Sequence, residues 1–457
     1  MSDQMPPRDG PKLAGQWTKI TQGDLEKILD GHEKFALKKQ GGVRAKLTLY
    51  DLSYLDLAGR NLKQAELTGA LLCHANLAGA ILEEANMFAA DMRFADLRHA
   101  DMTRADLRGA CLAGANLSRA IVNDADLRDG VLMRPKDKGG DLMPLIHDEA
   151  AGGMEKAVVR GASMERAKFS NSFIVQTDLT DCNLRHAKFV RTNLSLSNLT
   201  GCNLEGADFT NANLSGAIFH GAMFSGTILD NSDLTGADLI GAIFDNMDFS
   251  KVKLDVAKMP KSLETLDYSL QDIVRDHVKW VGSNGKEGHR ASLSKFDLSG
   301  QDLAGVNLSA GDLSYAILRA ADLSKGEFIM SDMSFTDLRD ARLMHADMRG
   351  VKLERANLSG ADLTAAQIGD VTVSSRAGGG LWRANLDHAR LKRARLAGAN
   401  LKNADLTGAD FTGANLQDAD LSGSLCVDAK FMDADLRGAN MKGADIRGAT
   451  GLPEKDD

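Results

Sequence analysis

The stretch ADLTGADFTGANLQDADLSG, residues 404–423, repeats one five-residue phrase four times. In each phrase a large apolar residue follows an Asp or Asn, and a small residue usually stands two positions before it. A period of five fits neither a helix of 3.6 residues per turn nor a strand that alternates every two residues. It fits a chain that turns a corner every five residues, with the large and the small residue both pointing inward.

The same phrase extends over most of the chain in four runs, Leu47–Leu132, Met164–Leu254, Leu293–Val373 and Leu381–Ile446. In the second run Phe169, Phe189 and Phe209 recur every 20 residues, which predicts four sides per coil. Coils of this length would stack at the spacing of neighbouring β-strands, about 4.8 Å. The phenylalanines, together with Phe249 one step beyond Leu229, are therefore expected to form a ladder inside the stack.

This pattern resembles that of the pentapeptide repeat family, whose motif reads A-(D/N)-L-x-x. The resemblance implies a right-handed quadrilateral β-helix with four pentapeptides per coil and Leu or Phe at the inward centre. The expected fold class is therefore an all-β solenoid. The prolines support this prediction, because proline lacks the N–H that stacked coils require. All seven lie outside the four runs: Pro6, Pro7, Pro11, Pro135, Pro144, Pro260 and Pro453.

Two segments outside the runs resemble each other. IVRDHVKW, residues 273–280, aligns with ILDGHEKF, residues 28–35, at an offset of 245, and pentapeptides follow both. Both have the apolar spacing of an amphipathic helix, and Ser269 is a candidate N-cap. A solenoid needs a cover over its terminal coil, so helices over 24–38 and 269–282 are expected to cap two tandem modules.

This interpretation divides the chain into a disordered tail, 1–20, and two helix-capped modules, 21–260 and 261–457. Loop insertions are expected at 133–161 in the first module and at 374–380 in the second. One alternative remains open: a single continuous stack, with the middle helix looped out on its flank.

Composition narrows the class of protein. The formal net charge of −8 disfavours general binding to nucleic acid or to anionic membranes. The first twenty residues contain no apolar signal segment, and no apolar run reaches the length of a membrane span. The five cysteines lack metal-ligand spacing, which suits a reducing compartment. We therefore expect a cytoplasmic protein with no cofactor.

A few residues could still carry chemistry. Cys182 and Cys202 stand 20 residues apart at small inward positions, which suits wall residues better than a metal or redox site. His32 and His277 occupy matching places in the two helical segments and are expected to pack or hydrogen-bond there. His147, with the two acids that follow it, is too compact a run to surround a metal ion. The sequence therefore predicts no catalytic, cofactor-binding or metal residues.

Charge is unevenly distributed along the chain. Residues 192–250 contain seven acids and no Lys or Arg, whereas residues 383–402 carry six basic residues and one acid. Such stretches are usually solvated faces, although they could also dock modules or molecules onto one another.

Three functions are compatible with these features. The first is a non-enzymatic scaffold that presents rigid faces and loops to a protein partner, with possible self-association through module ends or charged patches. The second follows from the family resemblance: a DNA-mimicking modulator of a type II topoisomerase that protects against quinolones. The third, an enzyme built on loop 133–161, has the least support.

Overall fold

Parallel backbone bridges between residues 20 apart define the architecture. The computed structural model describes residues 17–135, 142–144, 153–172, 174–245, 247–373 and 380–452. In the first coils each side of one coil is bridged to the same side of the next coil. The four bridges are Lys46 to Glu66, Asp51 to Leu71, Asp56 to Asn76 and Asn61 to Ile81. Four bridges in 20 residues mean four sides per coil, so the predicted 20-residue coil is confirmed.

The pentapeptide 86–90 shows why the repeat has its composition, since all five of its backbone N–H groups are bonded. Three donate to carbonyl oxygens of neighbouring coils: Asn86 to Ala65 at 2.9 Å, Met87 to Asp106 at 2.8 Å and Ala89 to Arg108 at 2.9 Å. Two stay within the corner: Phe88 donates to Asn86 Oδ1 at 3.2 Å and Ala90 to the Met87 carbonyl at 3.0 Å. The pattern thus favours Asp or Asn before the centre, where the side chain can accept the N–H two residues on, and leaves no place for proline.

The interior is a column of large side chains lined by small ones. Phe169, Phe189 and Phe209 stack with centroid distances of 4.8 and 4.7 Å and nearly parallel rings, 3° apart. All three are buried, so this part of the predicted ladder is confirmed. Phe249 does not join it: this ring is half-buried and meets Phe244 edge-on at 5.2 Å.

Two α-helices precede the two sets of coils. Helix α1 spans Gln22–Ala36 and helix α2 spans Leu270–Gly282. The predicted N-cap of α2 is confirmed, because the Ser269 hydroxyl accepts from the Asp272 N–H at 3.1 Å. The predicted start of α1 at residue 24 is wrong: Thr21 caps it in the same way, accepting from the Asp24 N–H at 3.3 Å, so the helix begins earlier.

Each helix buries one face. In α1 the buried residues are Leu25, Leu29 and His32. In α2 His277 is buried, while Ile273 and Val274 pack against the hydrophobic core formed by residues 291–431. By its internal contacts the chain divides into two compact units, residues 1–238 with 244–257, and residues 239–243 with 258–457.

Two hairpins interrupt the coils, and their bounds differ from the predicted loops. In the first unit, β3 (Met133–Pro135) pairs antiparallel with β4 (Leu142–Pro144). The predicted end of this insertion at residue 161 is wrong, since Gly153 already bridges Cys111. Met154 and Val159 are likewise buried at the inward centre, so the repeat resumes ten residues before Met164.

In the second unit, β5 (Val371–Val373) pairs antiparallel with β6 (Gly380–Trp382), so the insertion is wider than 374–380. Leu381 is in phase with the repeat but is 54% exposed, and its predicted inward position is wrong. Strand β6 continues directly into a coil, so its residues keep the phase of the repeat. Its backbone pairs with β5 and not with a neighbouring coil, so Leu381 does not point into the interior.

The predicted disordered tail of residues 1–20 is wrong for residues 17–20, which are ordered, whereas residues 1–16 lie outside the described residues. Strand β1 (Thr18–Lys19) pairs in parallel with β2 (Tyr50–Asp51), and Trp17 Nε1 donates to the Gly69 carbonyl at 2.8 Å. A short 3₁₀ helix, Leu263–Thr265, precedes α2. Neither α-helix of the described chain has the length and apolarity needed to cross a membrane.

Substitution of Gly109 by alanine is expected to destabilise the first unit more than the same change at Gly79. Both residues have φ near +67°, so each alanine costs about 1 kcal/mol of left-handed strain. At Gly109 the new Cβ would also overlap the Gly130 carbonyl, where the chain leaves the coil, whereas Gly79 has open space. Equal melting temperatures for the two variants in thermal denaturation would contradict this packing.

Candidate functional surfaces

The outer wall neutralises many of its own charges. In eight described pentapeptides an Asp before the centre meets an Arg after it: Asp91–Arg93, Asp96–Arg98, Asp106–Arg108, Asp126–Arg128, Asp337–Arg339, Asp347–Arg349, Asp435–Arg437 and Asp445–Arg447. The hydrogen bond from Arg437 lowers the pKa of Asp435 to about 2. The Asp residues also accept a backbone N–H two residues on, as Asp96 does from Arg98 and Asp435 from Arg437.

The acidic stretch 192–250 does not form one acidic face. The bridge register places Asp208, Asp233 and Asp238 on three different sides of the coil. Three of these acids form ion pairs with a Lys or Arg that the sequence stretch itself lacks: Glu205 with Arg185 at 3.0 Å, Asp230 with Lys251 at 3.4 Å and Asp233 with Lys253 at 3.2 Å. Asp238 lies 3.2 Å from His220 Nε2. A run of acids along the sequence is therefore dispersed around the described coils.

The basic stretch 383–402 is dispersed in the same way. Arg390 and Lys392 flank one inward residue, while Arg395 belongs to the next side. Lys392 pairs with Asp410 at 3.2 Å and Arg395 with Asp362 at 3.0 Å, each in a neighbouring coil. These ion pairs join coils rather than leaving a continuous basic patch.

Both predicted structural histidines are buried and accept a backbone hydrogen bond. His32 Nδ1 accepts from the Ala45 N–H at 3.0 Å, and His277 Nδ1 accepts from the Ala291 N–H at 2.9 Å. His277 Nε2 also lies 3.1 Å from the Ser309 carbonyl, which it meets as a donor when the ring is neutral. Burial and these hydrogen bonds confirm their predicted packing role. Because each Nδ1 accepts a hydrogen bond, it must be unprotonated.

Acidification is expected to destabilise the protein through these two rings. Burial lowers the pKa of His32 and of His277 below the ordinary value of 6.5. Each therefore contributes stability that is complete above pH 6.5 and is lost as the pH falls through the lowered pKa. Melting temperatures measured between pH 7.5 and 5 should decline in this window.

Glutamine at both positions supplies a control, since its amide can accept and donate without titrating. The double variant His32→Gln, His277→Gln should therefore show a flatter dependence between pH 6.5 and 5. An unchanged slope would mean that other groups cause the decline.

Cys182 and Cys202 are buried thiols of the wall, as predicted. Their Sγ atoms donate to the carbonyl oxygens of Val159 at 2.9 Å and Leu179 at 3.0 Å. Burial raises the pKa of Cys182 well above its ordinary range, which disfavours the thiolate that metal binding requires. No metal-binding group of three or more His, Cys, Asp or Glu side chains occurs among the described residues. His147, Asp148 and Glu149 lie outside them.

Exposed aromatic columns are a feature that the sequence analysis missed. Tyr54, His74 and Phe94 stack at one corner, with centroid distances of 4.9 and 5.1 Å. Tyr54 is 76% exposed and Phe94 58%. In the second unit Tyr315 and Phe335 also stack, at 4.9 Å, but both rings are half-buried. The sequence did contain a signal for the exposed column, because Tyr54, His74 and Phe94 are spaced 20 residues apart. They occupy the corner position of the pentapeptide and not the inward position.

Each helix borders a groove. The larger one, about 540 Å³, is hereafter the α2 groove; its lining residues are Tyr268, Asp272, Ile273, Arg275, Asp276, Lys279, His289, Arg290, Ala291 and Ser292. The smaller one, about 330 Å³, lies in the first unit and is lined by Phe35, Arg44, Gln64 and Glu84. Arg44 and Arg290 are aligned in the two copies, and each Nε donates to a carbonyl of the next coil at 2.5 Å.

Comparison with known families agrees with the repeat geometry. The family model described as pentapeptide repeats matches well over half of the chain, at residues 51–87, 90–129, 154–185, 177–216, 217–255, 289–325, 302–340, 327–364, 381–413 and 414–450. The chain therefore belongs to the pentapeptide repeat family, whose fold is the right-handed quadrilateral β-helix. No curated protein sequence matches the chain.

Solved structures of pentapeptide repeat proteins are similar to parts of the chain. Full-length QnrB1, a plasmid-mediated fluoroquinolone resistance protein, is 15% identical over 44% of this chain and 90% of its own, with a TM-score of 0.31. HetL, involved in heterocyst differentiation regulation in the cyanobacterium Nostoc sp. strain PCC 7120, is 22% identical over 73% of this chain and 89% of its own, with a TM-score of 0.19. The fold assignment rests on the repeats and the bridge register, not on these low scores.

Proposed function

We propose that this protein is a non-enzymatic, cytoplasmic scaffold that binds a protein partner on its rigid coils. The observation that carries the proposal is the regular outer wall of the coils. Its backbone groups form hydrogen bonds between coils, and many of its charged side chains form ion pairs with neighbours. Such a wall is rigid and presents side chains at fixed spacings.

The scaffold consists of two tandem modules, over residues 21–260 and 261–457, each begun by a capping helix. The matching environments of His32 and His277 support this organisation, as does the apolar packing of α2 on the core of the second unit. A helix over the first coil shields apolar side chains and strand edges that would otherwise face water.

The elements that depart from the regular wall supply the docking surfaces. The β5–β6 hairpin carries Leu381 and Trp382, which are 54% and 45% exposed. The aromatic column of Tyr54, His74 and Phe94 offers a second rigid surface. Exposed aromatic side chains on a rigid support are typical anchors of protein interfaces.

Affinity purification from the native host, with the full chain as bait, tests the scaffold function. We expect a stoichiometric protein partner whose capture is weakened by Trp382→Ala or by Phe94→Ala. Turnover of a small molecule that a surface substitution abolishes would instead identify an enzyme. Sedimentation analysis of the same protein would reveal self-association through module ends or charged patches.

The alternative is a DNA-mimicking modulator of gyrase that gives quinolone protection. QnrB1 is a fluoroquinolone resistance protein with the same repeat, but the dispersed and paired acids of residues 192–250 do not favour DNA mimicry in this chain. Gyrase supercoiling that is unchanged at micromolar protein would eliminate this function, and inhibition or quinolone protection would replace the scaffold with it.

A further inference from the structure

The α2 groove contains two cations, Lys279 and Arg290, that form no ion pair with any described residue. Asp272, Arg275, Asp276 and Lys279 follow one another at helical spacing, so they share one side of α2. Residues 289–292, which lead into the first coil of the second unit, also line the groove. The groove therefore combines one face of a helix with an extended segment.

The acids of the groove are already satisfied. Asp272 accepts from Arg275 Nη1 at 2.9 Å and from the Ser269 hydroxyl at 2.7 Å. Asp276 lies 2.7 Å from His289 Nδ1. Within the described chain, Lys279 and Arg290 form no ion pair, so the groove has a surplus of positive charge.

The aligned arginine of the first unit differs in this respect. Arg44 Nη2 pairs with Glu66 at 2.7 Å. The residue aligned with Glu66 is Asp312, which is one methylene shorter and bonds to the backbone N–H and hydroxyl of Ser314 at 3.0 and 2.7 Å. Arg290 thus keeps the backbone bond of its counterpart through Nε but has both Nη groups available for another anion.

We propose that the α2 groove binds an acidic peptide segment of a protein partner. A carboxylate of the peptide pairs with the two Nη groups of Arg290, whose fork matches its geometry, and Lys279 supplies a second positive charge. Tyr268 and Ile273 contact an apolar side chain next to that carboxylate. This inference rests on the proposed scaffold function and gives the chemistry of the partner.

The test uses the full-length protein and a fluorescein-labelled peptide of Glu and Asp residues around one Phe, followed by fluorescence anisotropy. We expect saturable binding that weakens about tenfold in Arg290→Gln, because charge-assisted hydrogen bonds are lost. Lys279→Gln should weaken binding less, and Arg290→Lys should fall between the wild type and Arg290→Gln. The matched control Arg44→Gln should bind like the wild type, and circular dichroism establishes that each variant is folded.

Three results would overturn the proposal: no binding of the acidic peptide up to millimolar concentration, equal binding of a peptide with Gln and Asn in place of the acids, or equal weakening by Arg44→Gln. Tighter binding of a single-stranded oligonucleotide that depends on Arg290 would assign the groove to nucleic acid and overturn it as well. A host partner captured equally by wild type and Arg290→Gln would retain the scaffold function and reject the groove as its docking site.

Discussion

Replacement of Phe209 by alanine is expected to lower the free energy of unfolding of the first unit by about 3–5 kcal/mol. The ring is fully buried and stacks on Phe189 at 4.7 Å, so its removal leaves a cavity between coils. Neighbouring coils cannot collapse into this cavity, because backbone hydrogen bonds hold their spacing. Denaturant unfolding followed by circular dichroism measures the loss.

Thr210, the next residue, provides the control for this change. It is half-buried in the outer wall, and its hydroxyl donates to Asp208 Oδ1 at 2.6 Å. Thr210→Ala is expected to cost less than about 1 kcal/mol. Similar losses for the two variants would refute the inward assignment of the phenylalanine.

Replacement of Leu29 by alanine should cost about 2–5 kcal/mol, the second largest effect we expect. Leu29 is fully buried on the inner face of α1, next to buried His32 in the following turn. Loss of its side chain should loosen α1, and hydrogen exchange followed by mass spectrometry should show faster exchange in the first coil, near Ala45. Stability in a repeat protein depends on adjacent layers, so distant coils should change little.

Lys27 lies on the opposite face of the same helix and serves as the comparison. Its side chain is 78% exposed and pairs with Asp24 across one turn. Lys27→Ala should change stability by no more than about 0.5 kcal/mol. If Leu29→Ala were equally mild, α1 would contribute little to the first unit, and the capping role proposed for it would have to be abandoned.

The aligned helical segments illustrate where sequence reasoning succeeded and where it did not. The alignment of His32 with His277 correctly predicted equivalent environments, because each ring bonds to a backbone N–H at a fixed place before the first coil. The same alignment placed the start of α1 too late. It overlooked Thr21, whose capping bond is local and does not recur in the second copy at the same offset.

The hairpins show a second limit. The five-residue period continues through Leu381, yet this residue leaves the wall in strand β6. In the first unit the period resumes at Met154, which the sequence analysis assigned to the loop. Periodicity records the spacing of apolar residues but not whether their backbone bridges the preceding coil.

The sequence alone determined the coil length, most of the inward residues and the exclusion of proline. These follow from one pentapeptide whose five N–H groups all need partners. Only the tertiary structure decided which charges pair between coils, where the aromatic columns lie and why Arg290 lacks the partner of Arg44. The physical reason is that these contacts join side chains of different coils or of a helix and a coil, and a difference of one methylene, as between Glu66 and Asp312, decides whether they form.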